Sequence, residues 1–285
     1  MKAFEALLTT CCVTNSAHMI TDLIKLPSLV LAVILYGVTL MLLCRGIFGH
    51  AVINKKQLAS ISLSASGLHL TGALLIIFSG HSVDFSLFAS GSLIFAVTGA
   101  IITFSSLKKP VHALELFIVP ISMGLIIASL VFQPTKLTEL SPGVAVHVVL
   151  SILAYGLITI ATASALVMSY ASYQLKHKHI HSLGSLMPPL ETIEKMLFEM
   201  ILAGELFLTA SIVSGVLFHV DFFAQHLIHK TFFSLLSWTI FAVLLAGHHF
   251  FGWRGNKAMK LTVSGFITLL LAYVGSKFVI EMILA

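Results

Sequence analysis

Apolar residues do not alternate along this chain; they run in long unbroken stretches, and the polar residues between them fall in short links. Eight such stretches are legible, at about 28–47, 59–80, 86–106, 111–132, 144–171, 196–218, 231–250 and 260–283. Each approaches the roughly 20 apolar residues that a helix needs to cross the hydrocarbon core of a bilayer. Strands of a membrane barrel are shorter and alternate, so continuous runs predict helices, whose backbone groups are satisfied internally in lipid. The expected fold class is all-α, a polytopic transmembrane bundle of eight spanning helices.

Composition agrees with the pattern. Of 285 residues, 58% are hydrophobic and 9% charged, against about a quarter charged in soluble domains. The links are too short for a large soluble domain. Residues 28–285 therefore read as one transmembrane domain, and a four-plus-four division around Pro134 fits the links. Residues 1–27 read as a leader, interfacial or poorly ordered. They weakly resemble a signal sequence, with Lys2, a short apolar run and small residues near Ala17.

The net charge of +5 does not point to nucleic acid, because of where the charges lie. Arg45, Lys55, Lys56, Lys108, Lys109, Lys176, Lys178, Lys195, Arg254, Lys257 and Lys260 all follow odd-numbered spans. The other side has Lys2, Lys25, Lys136, Lys230 and Lys277. By the positive-inside rule the first group is cytoplasmic and both termini face outward. Cys11, Cys12 and Cys44 form no metal-binding spacing and read as small apolar residues.

The candidate chemistry is in the histidines, fourteen in all. Most sit in links or at helix ends, among them His50, His81, His112, His219 and His226. The alternating His177, His179 and His181 read either as a metal-binding tract or as a hydrated basic loop. Intramembrane polar groups are costly unless the bundle interior uses them, which singles out three others. His147, Ser151, Tyr155 and Thr159 step by four and form one polar stripe facing inward from the outer end of span five. His69 shares a face with Ser62 and Ser66 in span two, with small Gly72 one turn on, and is either a ligand or a partner in an interhelical hydrogen bond. His248 shares a seam with Ser234, Trp238, Phe241 and Leu245 near the inner end of span seven, and His229 lies at about the depth of His147. A neutral imidazole can ligate a metal through one nitrogen while the other is held by a partner. Haem iron takes such axial ligands, and the apolar walls of a bundle suit its macrocycle.

The stretches "HVVLSILAYGLI", "SYQLKHK", "MPPLETIEKM" and "LLSWTIFAVLLAGHHFFGWRGNKAMKLTVSGFITLLLAYVGSKFV" resemble the cytochrome c assembly superfamily that includes CcsA, CcmC and HemX, and most closely its YpjD-type branch of bacterial inner-membrane proteins. The resemblance covers most of residues 28–283. It implies a multi-pass bacterial inner-membrane protein that handles haem b, with the bilayer and other membrane or cytochrome-maturation proteins as partners. His147 matches the outward-facing haem ligand of that family, and His69 falls where the family tends to place an early intramembrane histidine. His248 matches the YpjD-type branch, and against CcsA it is displaced by two residues from a late ligand whose place Ala246 takes. The tryptophan-rich external motif of the cytochrome c synthases is missing, since Trp238 and Trp253 are the chain's tryptophans. A second outer histidine beyond the last span is missing too, with His229 as a possible substitute. The resemblance thus implies haem transfer, sensing or maturation without haem attachment.

The expectation is a haem-binding membrane protein with His147, His69 and His248 as metal ligands and His229, Tyr155 and Trp238 beside the cofactor. The alternative is a transporter of protons, ions or a small solute, or its accessory subunit. That reading uses Glu205, read as the one carboxylate well inside a span, which is otherwise bonded to a neighbouring serine. Transport would show as helices broken at mid-membrane with opposed ends. No phosphate loop, nucleophile constellation or paired intramembrane acids point to an enzyme.

Overall fold

A computed structural model describes residues 2–47, 53–79, 82–107, 109, 111–132, 141–177, 189–218 and 225–275, with side chains described from residue 23 in the first helix and from residue 230 in the seventh. The helices are α1 (Lys2–Ile47), α2 (Lys55–Ile77), α3 (Leu87–Ser106), α4 (Glu115–Val131), α5 (Pro142–Lys176), α6 (Leu190–Phe218), α7 (Gln225–Phe251) and α8 (Asn256–Leu270). A two-residue β-ladder, Phe78–Ser79 with Ser82–Val83, joins α2 to α3; a 3₁₀ turn, His112–Leu114, leads into α4; and a π turn, Leu271–Gly275, ends α8. Among the described residues eight helices are long and apolar enough to cross a bilayer.

Local chemistry sets several of the boundaries. Asn54 starts α2 by accepting from the backbone N–H groups of Lys56 and Gln57 at 3.1 and 3.4 Å, which satisfies donors that a helix start leaves orphaned. Ser141 caps α5 ahead of Pro142, whose fixed φ and missing N–H suit a first helical position. The link between α7 and α8 is a tight one. Gly252 takes a φ of +64°, and the N–H groups of Gly252 and Trp253 bond back to the carbonyls of His248 and Gly247 at 3.1 Å each. This is the left-handed closure that favours glycine after a helix.

Sequential helices pack against one another within α1–α4 and within α5–α8, α1 also packs on α4, and α5 on α8; α3 and the turn before α4 meet α5 and join the two sets. The four-plus-four division holds, although Pro134 itself lies outside the described residues. Ion pairs between Lys109 and Glu199 at 3.1 Å and between Arg254 and Glu194 at 3.4 Å gather the α3–α4 link, the start of α6 and the α7–α8 link at one basic end. Small residues let helices approach: an added Cβ at Gly204 of α6 would lie 2.7 Å from Ile158 of α5, and Gly72 meets Leu29 of α1. The backbone of α1 is helical back to Lys2, through exposed Pro27, whereas most side chains of the expected leader at residues 1–27 lie outside the described residues.

Candidate functional site

His147 turns inward onto α6. Its Nδ1–H donates to the carbonyl oxygen of Ser211 at 2.8 Å, with the hydroxyls of Ser214 and Ser211 at 3.4 and 3.5 Å. Ser151, one turn on, bonds the hydroxyl of Ser211 at 2.7 Å and donates to the His147 carbonyl at 2.8 Å. A proton used on Nδ1 leaves the lone pair on Nε2, the form in which an imidazole ligates a metal.

The polar stripe of α5 does not stay on one neighbour. A helix turns about 100° per residue, so each four-residue step winds about 40° further round. His147 and Ser151 consequently face α6, whereas Tyr155 faces α8 and donates to the carbonyl of Leu269 at 3.1 Å. Tyr155 also packs against Tyr273, with ring centroids 5.7 Å apart, and Tyr273 in turn reaches the carbonyl of Leu87 at 2.9 Å. Tyr155, Thr159 and Thr162 line a crevice of about 350 Å³ between α3, α4, α5 and α8. Its walls are apolar and its aromatic lining comes chiefly from Phe88, Phe95, Phe117 and Phe266. Thr159 and Thr162 return their hydroxyls to their own helix, to the carbonyls of Tyr155 and Ile158.

His248 is oriented by the turn that follows it. The left-handed Gly252 folds Trp253 back over Gly247, and the carbonyl of Trp253 accepts from His248 Nδ1–H at 2.9 Å. The imidazole lies flat on Phe198 of α6, with centroids 3.6 Å apart and planes 15° from parallel. Here too the lone pair falls on Nε2. Trp238, further out on α7, donates from its indole to the Thr209 hydroxyl at 2.9 Å. The seam expected on α7 is divided between two neighbours: Trp238 and His248 meet α6, while Phe241 packs on Gly265 of α8.

His69 is fully buried, and both ring nitrogens are engaged. Nδ1 is 3.3 Å from the Tyr36 hydroxyl and Nε2 is 2.9 Å from that of Ser92. The interhelical hydrogen bond allowed for His69 is present, joining α1, α2 and α3; coordination would require one of these hydroxyls to withdraw. The His229 side chain lies outside the described residues, as do His179 and His181. His177 is exposed and bonds the Tyr173 carbonyl at 2.9 Å.

Two carboxylates are buried in or at the ends of spans. Glu205 is 7% exposed, and neither carboxylate oxygen has a hydrogen-bond partner, so the serine bond considered for it is not made. Glu205 remains the carboxylate well inside a span, but a second acid is buried at a span's end: Glu115, in the first turn of α4, is 2% exposed, as is His112 three residues before it. Proximity to the "LKKP" link disguised this pair in the sequence; the i,i+3 spacing of His112 and Glu115 was the available signal.

Among the described residues no three His, Cys, Asp or Glu side chains gather as a site for a bare metal ion. His147 and His248 each offer a single, well-held imidazole with Nδ1 committed to a carbonyl. That arrangement fits a metal that brings its own equatorial nitrogens, as haem iron does. His69 fits such a role less well, since its nitrogens are already shared. The described spans are continuous through the membrane depth, without the mid-membrane breaks that transport would show.

The protein-family model for cytochrome c assembly proteins matches residues 55–284. The chain is 36% identical over 145 residues to the inner membrane protein YpjD of Escherichia coli strain K12, covering 51% of this chain and 55% of that one. It is 31% identical over 148 residues to an uncharacterized 28.8 kDa protein from the nifR3-like 5′ region of Azospirillum brasilense, covering 50% of this chain and 55% of the relative. The chain thus spans about half the length of the curated relatives it matches, and no solved structure matches it. With a match over most of its length and eight apolar spans, the chain is a multi-pass membrane protein that belongs to the cytochrome c assembly family.

Proposed function

We propose that the protein binds haem b within its helical bundle in the bacterial inner membrane and acts in haem transfer, haem sensing or cytochrome maturation, without itself attaching haem to apocytochrome. The observation that carries this reading is His147, fixed by the Ser211 carbonyl so that its ligating nitrogen is Nε2. His248, fixed by the Trp253 carbonyl, offers a second imidazole toward the basic end. Family membership supports a haem-related role, and the name of the Escherichia coli relative supports the inner membrane as its location. The gathering of cationic residues at one end supports both termini facing outward.

Bound haem would supply an iron that takes imidazole nitrogen as a ligand, and His147 and His248 would hold it. The protein's own part is to hold those imidazoles in the metal-binding tautomer and to keep water away with apolar helices. Tyr155 and Trp238 then act beside the cofactor rather than as ligands, since their polar atoms are committed to Leu269 and Thr209.

Purification in mild detergent tests the reading. The expected result is a Soret band that His147→Ala weakens. A colourless preparation that added haem cannot reconstitute would overturn it.

A further inference from the structure

A second set of buried polar groups lies wholly within α1–α4 and has no part in the proposed haem contacts of His147 and His248. It begins at the basic end with Glu115. One carboxylate oxygen of Glu115 is 3.4 Å from His112 Nδ1, and the other accepts from the Ser62 hydroxyl at 2.9 Å. Ser62 is 3.0 Å from Thr103, which is 3.5 Å from Ser66. Tyr36 donates to Ser66 at 3.4 Å and lies 3.3 Å from His69 Nδ1, and His69 Nε2 is 2.9 Å from Ser92. Every one of these side chains is buried. Four helices contribute, so the chain of bonds is a product of the tertiary fold.

Two features distinguish this from ordinary polar packing. Serine and threonine on membrane helices commonly return their hydroxyls to the carbonyl four residues back. Thr39, Thr98, Ser122 and Ser164 do so here. Ser62, Ser66 and Thr103 instead bond side chain to side chain between helices. Second, α3 has Gly99 where the chain passes: an added Cβ would lie 3.2 Å from the Ser66 hydroxyl and 3.3 Å from that of Tyr36. A bare backbone at that point leaves the two hydroxyls room to meet and to rotate.

Each member between Glu115 and Ser92 can donate and accept, and a titratable acid stands at one end. Intramembrane chains of acids and histidines are how membrane proteins relay protons. We propose that α1–α4 carry a proton-transfer path from the buried His112–Glu115 pair to His69. With the hydroxyls turned toward Ser92, protonated Glu115 gives its proton to Ser62 as Ser62 gives its own to Thr103. The shift continues through Ser66 and Tyr36 to His69 Nδ1, which leaves Glu115 as a carboxylate and His69 as an imidazolium whose Nε2–H donates to Ser92. One proton leaves Glu115, one arrives on His69, and no electron moves. The reverse shift along the same hydroxyls returns the proton to Glu115 and restores the starting state. The titratable groups facing it are Tyr36 from α1, His69 from α2, and His112 and Glu115 at the head of α4; α3 adds the hydroxyls of Ser92 and Thr103. From Ser62 to His69 the path rises about 10 Å along α2 at 1.5 Å per residue, so a proton moving along it crosses part of the membrane's electric field.

That partial crossing can be read without haem. The protein, reconstituted in liposomes adsorbed on a solid-supported membrane, is given a pH jump, and the transient current is recorded. The expected result is a current absent from protein-free liposomes, lost in Glu115→Gln and in Tyr36→Phe, and kept in Ser64→Ala, whose exposed hydroxyl bonds only its own helix. Thermal unfolding of each variant establishes that it is folded. Should Glu115→Gln fail to fold, Tyr36→Phe decides, since it keeps the ring and removes one hydroxyl. A wild-type current no larger than that of empty liposomes, or a current unchanged in the folded Tyr36→Phe protein, overturns the path. Neither result bears on the Soret band.

Discussion

His147 of α5 is bound to Ser211 of α6 through the backbone, Nδ1 to carbonyl oxygen at 2.8 Å. The bond ties the orientation of the imidazole to the placement of a whole helix rather than to a side chain that could swing away. Orienting partners of this kind set the tautomer and basicity of a ligating histidine. Close helix packing below it, where Gly204 admits Ile158 two turns from Ser211, maintains the separation on which the bond depends.

This separates two substitutions at adjoining positions. His147→Ala removes the proposed ligand and weakens the Soret band, whereas Ser211→Ala removes a hydroxyl and leaves the carbonyl. The band in Ser211→Ala is expected to remain near its wild-type height. Absorption spectra of the two purified variants, normalised to protein, check it.

His248 is held by a carbonyl that belongs to a turn, and the turn is shaped by glycine. A methyl group added in Gly247→Ala collides with the Trp253 indole. Overpacking of this kind costs about 1–3 kcal/mol, and relief by moving Trp253 also withdraws the carbonyl from His248. The expected outcome is a lowered unfolding midpoint together with a changed haem spectrum. A conserved spectrum with a lowered midpoint would show that His248 does not contact the cofactor.

At His69 the structural and ligand roles diverge in their readouts. His69→Phe leaves the Ser92 hydroxyl and one side of Tyr36 without a partner in a dry interior, at about 1–3 kcal/mol for a buried group left unsatisfied. Detergent unfolding is expected to shift accordingly while the Soret band persists. Loss of the band without loss of stability would instead make His69 an axial ligand.

The spans were legible in the sequence because lipid imposes its demands on every helix separately: length, apolarity and the exclusion of charge are local properties. The small residues at Gly72 and the inward turn of His147 were legible for the same reason. What joins helices to one another was not. The four-residue steps from His147 to Thr159 read as one stripe, yet the accumulated winding carries Tyr155 to α8 while His147 stays on α6. Glu115 finds Ser62 fifty-three residues away, a pairing that no periodicity within either helix encodes. The orientation of His248 depends on Gly252, which in the sequence marks only a link. Glu205 presents the opposite difficulty, a carboxylate whose burial is visible and whose partner is not.

The quartet arrangement has a bearing on inheritance of damage. The two quartets meet at the α3–α5 seam, beside which the turn leading into α4 touches α5 and Tyr273 reaches the Leu87 carbonyl of α3. At that seam Gly156 presents bare backbone to Thr98, where an added methyl would sit 3.2 Å from the hydroxyl. A single methyl placed there would strain both quartets at once, since the strip it enters belongs to each of them.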